Sequence, residues 1–371
     1  MEIFPKRKKR RNSLMKYHII TFGCQMNISD SERIASILEN MKLKPAKNLE
    51  QADLVMVNMC SVRQSAVDRI YGLLPKIKNK KTVLTGCFLK KDEKLFEKKI
   101  DHILPIKNLN QWPKILQTRG LVHGSVDNKN YFKIKQRHFN EFSALVPIMT
   151  GCNNFCSYCV VPYTRGREIS RPAKEIICEV KNLVKRGAKE IWLLGQNVNS
   201  YGVQRETTQK PAFGGTRNNV EINFPKLLKL VNDIPGKFWI RFTSSHPKDF
   251  SDDLIKIMKD CKKVTPYLNL PVQSGDDEVL RKMNRPYKIE RYKKIVKKLK
   301  KEIPDICLSA DFIVGFPGET EKHFNNTKKL FEEIKYDMAY INKYSPRAGT
   351  AAFKLKDNVS PKEKKKREKI L

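Results

Sequence analysis

Apolar positions along the chain follow two rhythms, short continuous runs and stretches repeating every three or four residues, so strands alternate with helices. Tyr17 to Phe22 reads as a strand. A helix from about Asp30 follows, with Ser29 and Glu32 spelling a capping box and Ile34, Ile37, Leu38 and Met41 sharing a face. Leu54 to Asn58 is the next strand, Val62 to Ile77 a helix and Thr82 to Thr85 a third strand. This βαβαβ order predicts an open parallel sheet. Residues 106–140 carry a short helical pattern and then a basic, turn-rich connection from Asp127 to His138, which places a domain boundary near 140.

Beyond it, Ala144 to Met149 reads as a strand. Ser170 and Pro172 start a helix with Ile176, Ile177, Val180, Leu183 and Val184 on one face, stopped at Gly187. Further strands are expected at Glu190–Leu194, Lys237–Phe242, Tyr267–Leu270, Ile306–Val314 and Met338–Tyr344, with lysine-rich amphipathic helices between them. About six strands in β/α alternation suggest a complete or partial barrel, whose loops at the carboxyl ends of the strands form the site. Gly202 to Glu221 reads as a polar inserted loop, and no internal repeat is visible. The expected layout is a basic disordered tail over 1–16, one domain over 17–140 and a second over 141–371.

Charge changes this picture. Lys and Arg number 74 against 39 Asp and Glu, a net charge of +35, which points to a polyanionic partner or to a surface decorated throughout with lysine. The block Pro5-Lys6-Arg7-Lys8-Lys9-Arg10-Arg11 cannot bury itself. No run of eighteen apolar residues and no apolar signal region occurs, so the expected location is cytoplasmic, with no membrane partner. Nine cysteines in a reducing compartment indicate metal ligation or redox chemistry in preference to disulfides.

Six of those cysteines are patterned. Cys152, Cys156 and Cys159 are spaced C-x3-C-x2-C in one loop with no fourth ligand near, which suits a cubane iron–sulfur cluster with one iron left open. A zinc site would need a ligand from a distant segment. Cys24, Cys60 and Cys87 each follow a strand, and loops at the carboxyl ends of parallel strands converge. They read as a second three-cysteine cluster, with Gly23 and Gly86 letting the backbone come close to a bulky ligand. Unrelated buried thiols are the plain alternative. Cys178, Cys261 and Cys307 belong to neither group and are expected to be dispensable.

The C-x3-C-x2-C loop, with Tyr158 just before its last cysteine, resembles the signature of the radical S-adenosylmethionine (SAM) superfamily. Gly23-Cys24-Gln25-Met26-Asn27, Cys60-Ser61-Val62-Arg63 and Cys159-Val160-Val161-Pro162-Tyr163-Thr164-Arg165-Gly166 extend the resemblance, over about residues 17–365, to the radical-SAM methylthiotransferases. Within them the chain looks most like the MiaB-type branch acting on tRNA N6-isopentenyladenosine, Gln25-Met26-Asn27 being the discriminating triplet. The resemblance implies an α/β fold, an N-terminal open parallel-sheet methylthiotransferase domain followed by a partial (β/α)6 radical-SAM barrel. The family ordinarily continues into a C-terminal TRAM β-barrel, which this sequence, closing on a charged run from Lys362 to Leu371, is expected to lack.

It further implies two [4Fe-4S] clusters with S-adenosyl-L-methionine, one on Cys152, Cys156 and Cys159 and an auxiliary one on Cys24, Cys60 and Cys87. The first cleaves SAM to a radical that takes hydrogen from an unactivated adenine carbon; the second presents the sulfur, methylated by another SAM. Cofactor contacts are expected from Gln196 and Asn197 at one strand end, from Ser245 and Gln273 at two others, and from Gly315 and Pro317 in the glycine-rich Gly-Phe-Pro-Gly segment, which alone would read as a turn. His246 is either part of that cavity or structural. Arg165, Arg167, Arg171, Lys282 and Arg285 are candidates for the mouth that holds tRNA phosphate. The implied partners are isopentenyladenosine-bearing tRNA, an electron donor such as flavodoxin or ferredoxin and a sulfur source, with the enzyme a monomer. Rival readings are the same chemistry on N6-threonylcarbamoyladenosine in tRNA or on a ribosomal-protein aspartate, and a non-catalytic iron–sulfur RNA-binding module.

Overall fold

The computed structural model describes residues 15–60, 64–117, 128–203 and 222–371. The basic block before Met15, Ser61–Arg63, Asp127 and most of the expected polar loop from Gly202 lie outside the described residues. The chain divides into two compact units, each completed by segments distant in sequence: one takes the chain up to Phe139 with Cys159–Ile169 and Ser345–Thr350, the other Asn140–Tyr158, Ser170–Tyr344 and Ala351–Leu371.

The first unit is a parallel sheet of β1 (Lys16–Phe22), β2 (Lys44–Pro45), β3 (Leu54–Cys60), β4 (Lys81–Cys87) and β5 (His102–Ile103), in the order β2-β1-β3-β4-β5. Helices α1 (Gln25–Asn40), α2 (Gln64–Ile77), α3 (Lys90–Phe96), α4 (Trp112–Gln117) and α5 (Val161–Arg165) complete it. β3 lies centrally and its side chains serve two cores. Leu54 and Met56 pack with Ile34, Leu38 and Trp112 on one face; Val55, Val57 and Met59 pack with Val67, Ile70 and Phe96 on the other. Burial on both faces explains the unbroken apolar run.

One expectation is corrected. Helix α1 begins at Gln25, not near Asp30, because Asn27 Oδ1 accepts the Cys24 backbone N–H at 3.2 Å and closes the first turn there. Ser29 and Glu32 form no capping box. Inside the helix, Ser29 Oγ accepts from Arg33, one turn on, at 2.9 Å and Glu32 accepts the Phe139 N–H at 2.7 Å, so one polar group is spent within the helix and the other on a tertiary contact.

The second unit has β6 (Ser143–Pro147), β7 (Met149–Thr150), β8 (Ile169–Ser170), α6 (Ala173–Lys185), β9 (Glu190–Leu194), α7 (Phe224–Asn232), β10 (Trp239–Phe242), α8 (Asp252–Asp260), β11 (Tyr267–Asn269), α9 (Asp277–Lys282), α10 (Ile289–Glu302), β12 (Cys307–Val314), α11 (Glu321–Ile334), β13 (Met338–Lys343) and α12 (Pro361–Ile370). Two three-stranded parallel sheets, β6-β9-β10 and β11-β12-β13, are joined by a parallel bridge between Ile240 and Val264. Six parallel strands with helices between them make the partial (β/α)6 barrel. Ile191, Leu193, Ile240, Phe242, Leu268, Leu308, Ala310 and Phe312 pack into the core shared with the helices. Several alternate positions are polar: Arg241 pairs with Glu190 at 2.6 Å, and Asn269 donates to Ser309 at 3.1 Å and to Asp311 at 3.2 Å. Among the described residues, no helix is long and apolar enough to cross a membrane.

Candidate iron–sulfur and cofactor sites

In the first unit the carboxyl ends of three neighbouring strands carry the cysteines. Cys60 and Cys87 are register partners on β3 and β4, and Cys24 stands between β1 and α1. Asn27 links them. Its Oδ1 accepts from the Cys24 thiol at 3.4 Å, while its Nδ2 lies 3.9 Å from Cys87 Sγ and donates to Asn58 Oδ1 at 3.2 Å. Asn58 in turn donates to the Asn27 carbonyl at 2.7 Å and to Ser31 Oγ at 2.9 Å. A buried amide pair thus fixes where the thiols stand.

Gly23 and Gly86 are required by the protein's own packing. A Cβ on Gly86, whose φ is +115°, would overlap the Met59 carbonyl oxygen of the neighbouring strand, and one on Gly23 would overlap the Asn27 side chain. Crowding by the surrounding chain pushes the thiol of Cys24, an exposed residue, up, with Arg165 pulling the other way. Cys87 is held well up by its hydrogen bond with Cys60 and by burial, again against Arg165.

Arg165 is the correction with the largest consequence. Expected at a tRNA-binding mouth, it is 4% exposed inside the first unit. Its Nε donates to Cys87 Sγ at 3.0 Å and its Nη2 donates to Asp30 Oδ2 at 2.5 Å, while Tyr131 donates to the other Asp30 oxygen at 2.6 Å. Burial alone would lower the Arg165 pKa, but Asp30 and Cys87 outweigh it and hold the guanidinium charged. Asp30 and Tyr131 went unread in the sequence, because only the fold brings them to Arg165.

Among the described residues, no three His, Cys, Asp or Glu side chains gather closely enough to hold one metal ion. A cubane makes a different demand, one thiolate for each of three irons, and soft sulfur donors at three strand ends fit it. A single zinc is the poorer fit.

In the second unit, Cys152 is buried and Cys156 half-buried on the loop after β7; Cys159, also half-buried, follows in the segment that packs with the first unit. The loop is pinned from β/α connections far along the chain. Asn284 Nδ2 donates to the carbonyls of Asn154 and Phe155 at 3.2 and 2.8 Å, Ser157 donates its N–H to Met283 O at 2.9 Å and its hydroxyl to Lys282 O at 2.8 Å, and Lys248 reaches Asn154 Oδ1 at 2.6 Å. Phe155, at φ 49°, is held in the left-handed region by these contacts.

Arg285, also expected at the mouth, is 4% exposed here. It donates to Tyr287 Oη at 2.6 Å, to Pro271 O at 2.7 Å and to Tyr158 Oη at 3.2 Å, and its Nη1 lies 3.7 Å from Cys156 Sγ. Burial would lower its pKa, but Tyr287, Tyr158 and Cys156 hold it charged, and burial raises Tyr287 to about 12. Arg171 is paired with Glu175 and Glu179, and Lys282 with Glu278 at 2.8 Å, so neither offers a free cation; Arg167 is exposed.

At the strand ends, Gln196 Oε1, Asn197 Oδ1, Asn199 Nδ2 and Ser245 Oγ are buried with no hydrogen-bond partner among the described residues. Their neighbours are satisfied: Asn197 Nδ2 donates to Asp249 at 2.7 Å, and Asn199 Oδ1 accepts the His246 N–H at 2.7 Å. Buried polar atoms left over at the carboxyl ends of β9 and β10 fit a zwitterionic, hydrogen-bonding ligand such as SAM. His246 packs edge-on against Tyr287, centroids 5.7 Å apart.

Gln273 bridges to Phe312 with φ 74°. Gly315 and Pro317 are buried, and the place of a Gly315 side chain is filled by the Lys364 stem from α12. Gly315 N–H donates to Glu319 at 2.9 Å and Gly318 N–H to Asn358 at 2.7 Å, so the Gly-Phe-Pro-Gly segment is a turn locked by the chain's own groups. The polar inner positions Arg241, Asn269, Ser309 and Asp311 were missed in the sequence; alternation of polar residues in strands whose other face is buried was the available signal.

Residues 146–331 match the family model "Radical SAM superfamily", and residues 16–105 match "Uncharacterized protein family UPF0004". A solved radical S-adenosylmethionine methyltransferase, TsrM from Kitasatospora setae, shares the fold at TM-score 0.55 and 14% identity, over 89% of this chain and 73% of that one. The cobalamin-dependent S-adenosylmethionine radical enzyme OxsB shares it at TM-score 0.56 and 10% identity, over 92% of this chain and 54% of that one. These two show the fold alone.

The fold and site therefore define a radical-SAM protein with an additional N-terminal cysteine-bearing sheet. Nearer relatives are the tRNA-2-methylthio-N(6)-dimethylallyladenosine synthases of Thermoanaerobacter sp. (strain X514), 43% identical over 95% of this chain and 76% of that protein, and of Caldicellulosiruptor saccharolyticus, 44% identical over the same shares. The chain belongs to the tRNA-2-methylthio-N(6)-dimethylallyladenosine synthase family.

Proposed function

We propose that this chain methylthiolates N6-isopentenyladenosine next to the anticodon of tRNA, using SAM both as radical source and as methyl donor. The observation that carries the reading is the meeting of Cys24, Cys60 and Cys87 at the carboxyl ends of adjoining parallel strands, in a chain that also bears the radical-SAM loop. Its relatives' names support the substrate.

In this reading Cys152, Cys156 and Cys159 hold the cluster to which SAM binds, and Cys24, Cys60 and Cys87 hold the auxiliary cluster. When bound, these groups supply the one-electron chemistry, the hydrogen abstraction and the sulfur and methyl that no side chain can provide. The chain's own residues position and shield. Arg285, Asn284 and Ser157 fix the loop that presents Cys156, so its thiolate is delivered without a search. Gln196, Asn197 and Ser245 offer their spare polar atoms to the cofactor's polar groups. The contribution of Gly315 and Pro317 is the rigid turn that closes the end of β12. The outer aliphatic core keeps the helices on the strands and leaves the polar inner positions for ligand.

A reductant delivering single electrons and a source of sulfur are the partners this chemistry requires. The test is expression of the chain in cells whose tRNA carries isopentenyladenosine but lacks its methylthio form. Mass spectrometry of digested tRNA is expected to show hydrogen replaced by a methylthio group on that nucleoside. The same gain on threonylcarbamoyladenosine, or on a ribosomal-protein aspartate, would overturn the substrate assignment.

A further inference from the structure

We infer that Arg165 is a positioning residue for the auxiliary cluster, its guanidinium anchored by Asp30 and donating a charged hydrogen bond to Cys87 sulfur so that the cluster is held and its reduction potential raised. The inference rests on the reading that Cys24, Cys60 and Cys87 carry such a cluster.

Three features make Arg165 more than a buried ion pair. The first is geometry. Its Nε, not a terminal nitrogen, faces Cys87 Sγ at 3.0 Å, while the far side of the fork is taken up by Asp30 at 2.5 Å, so the guanidinium cannot swing away from the sulfur without breaking its ion pair. The second is depth. Arg165 is 4% exposed and the Asp30 side chain 0%, in surroundings where a cation is not screened by water. The third is support. Tyr131, 5% exposed, donates to Asp30 Oδ1 at 2.6 Å, beside the oxygen that takes the Arg165 ion pair, and Arg33 lies over the Tyr131 ring with its guanidinium carbon 4.6 Å from the centroid. Such an assembly exceeds what neutralising one aspartate requires.

The physical consequence follows from charge. Thiolate ligands and a reduced cluster are more negative than thiols and an oxidised cluster, so a fixed cation and an N–H donor at a ligating sulfur favour them. Hydrogen bonds to the sulfurs and net local charge are among the settings of an iron–sulfur potential. Asp30 cancels part of the charge at long range; the directional N–H to sulfur remains. In sequence Arg165 is six residues beyond Cys159, in the segment that packs with the first unit, so the stretch carrying the last cysteine of one set supplies the donor to a cysteine of the other.

The experiment uses the full chain with Cys152, Cys156 and Cys159 changed to Ala, leaving the auxiliary cysteines intact, reconstituted anaerobically with iron and sulfide. Arg165→Gln and Arg165→Lys are compared with this parent for iron per chain and for the midpoint potential followed by electron paramagnetic resonance. The expected result is a more negative midpoint and faster loss of iron to a chelator in Arg165→Gln, with Arg165→Lys restoring part of the shift. Tyr131→Phe, which alters the support but not the donor, is expected to leave the midpoint in place. In the parent labelled with 15N-arginine, a 15N hyperfine coupling to the reduced cluster is expected; this readout needs no Arg165 variant to fold. An unshifted midpoint in a folded, iron-loaded Arg165→Gln, or no 15N coupling in the loaded parent, overturns the inference while leaving the cluster reading intact. A parent that takes up no iron overturns both.

Discussion

Arginine 285 shows how little a residue's type says about its place. A guanidinium near a glycine or proline loop invites a phosphate-binding reading, yet burying one is tolerated when each N–H finds an acceptor, and Arg285 finds Tyr287, Pro271 O and Tyr158. Its removal should therefore act on the cluster loop and not on tRNA affinity. Arg285→Gln is expected to lose about 1.5–3 kcal/mol of charge-assisted hydrogen bonding at that loop. Iron analysis should show selective loss from the Cys152/Cys156/Cys159 site, with tRNA binding by filter assay unchanged; the reverse pattern would restore the phosphate role. Gly86 makes the second prediction at this scale. With φ at +115° and the Met59 carbonyl where a Cβ would stand, Gly86→Ala should cost at least about 1–3 kcal/mol in strain, read from a urea midpoint, and displace Cys87. Cys178 is exposed on α6, Cys261 closes α8 and Cys307 opens β12, away from both thiol groups, so single Ser variants of these should keep full iron content.

At the scale of elements, α9 carries a control point. Asp276 accepts the N–H groups of Glu278 and Val279 at 2.9 and 3.1 Å and the Asn326 amide at 2.8 Å, and α9 leads into Met283, Asn284 and Arg285, which pin the cysteine loop. Burial would raise the Asp276 pKa, but Asn326 and the capped N–H groups outweigh it and hold the carboxyl below its usual value. A depressed native pKa stabilises the fold fully above the unfolded value of ~4 and is lost as pH falls through the lower native one. Asp276→Ala should cost about 1–2 kcal/mol at neutral pH and much less in strong acid, as chemical denaturation across pH would show.

The elements were the legible part of the sequence. Glu190–Leu194 reads as a strand with the bounds the structure gives, because an apolar run between Gly187 and Gly195 leaves little choice. The start of α1 was not legible, since Ser29 and Glu32 have the spacing of a cap and only their partners in the fold, Arg33 one turn on and Phe139 far along the chain, show that they serve elsewhere. The six patterned cysteines were visible because ligand chemistry demands residue type and spacing together. Asp30 with Arg165, 135 residues apart, carries no spacing rule and was invisible.

For the whole molecule, the net charge of +35 suits a polyanionic substrate. Neutralising several phosphates releases counterions, so tRNA affinity should fall linearly in log–log terms with salt, losing about a thousandfold or more between 50 and 200 mM for about six contacts. A flat dependence would place the lysines on a solvated surface. The central claim, two three-cysteine clusters with different tasks, is tested most directly by anaerobic reconstitution of the wild type and of the Cys24→Ser/Cys60→Ser/Cys87→Ser variant, counting iron and then reducing with SAM. The account predicts about eight irons in the first and about four in the second, with both releasing deoxyadenosine and only the first able to methylthiolate tRNA. Zinc in place of iron, or iron with no cleavage of SAM, would contradict it.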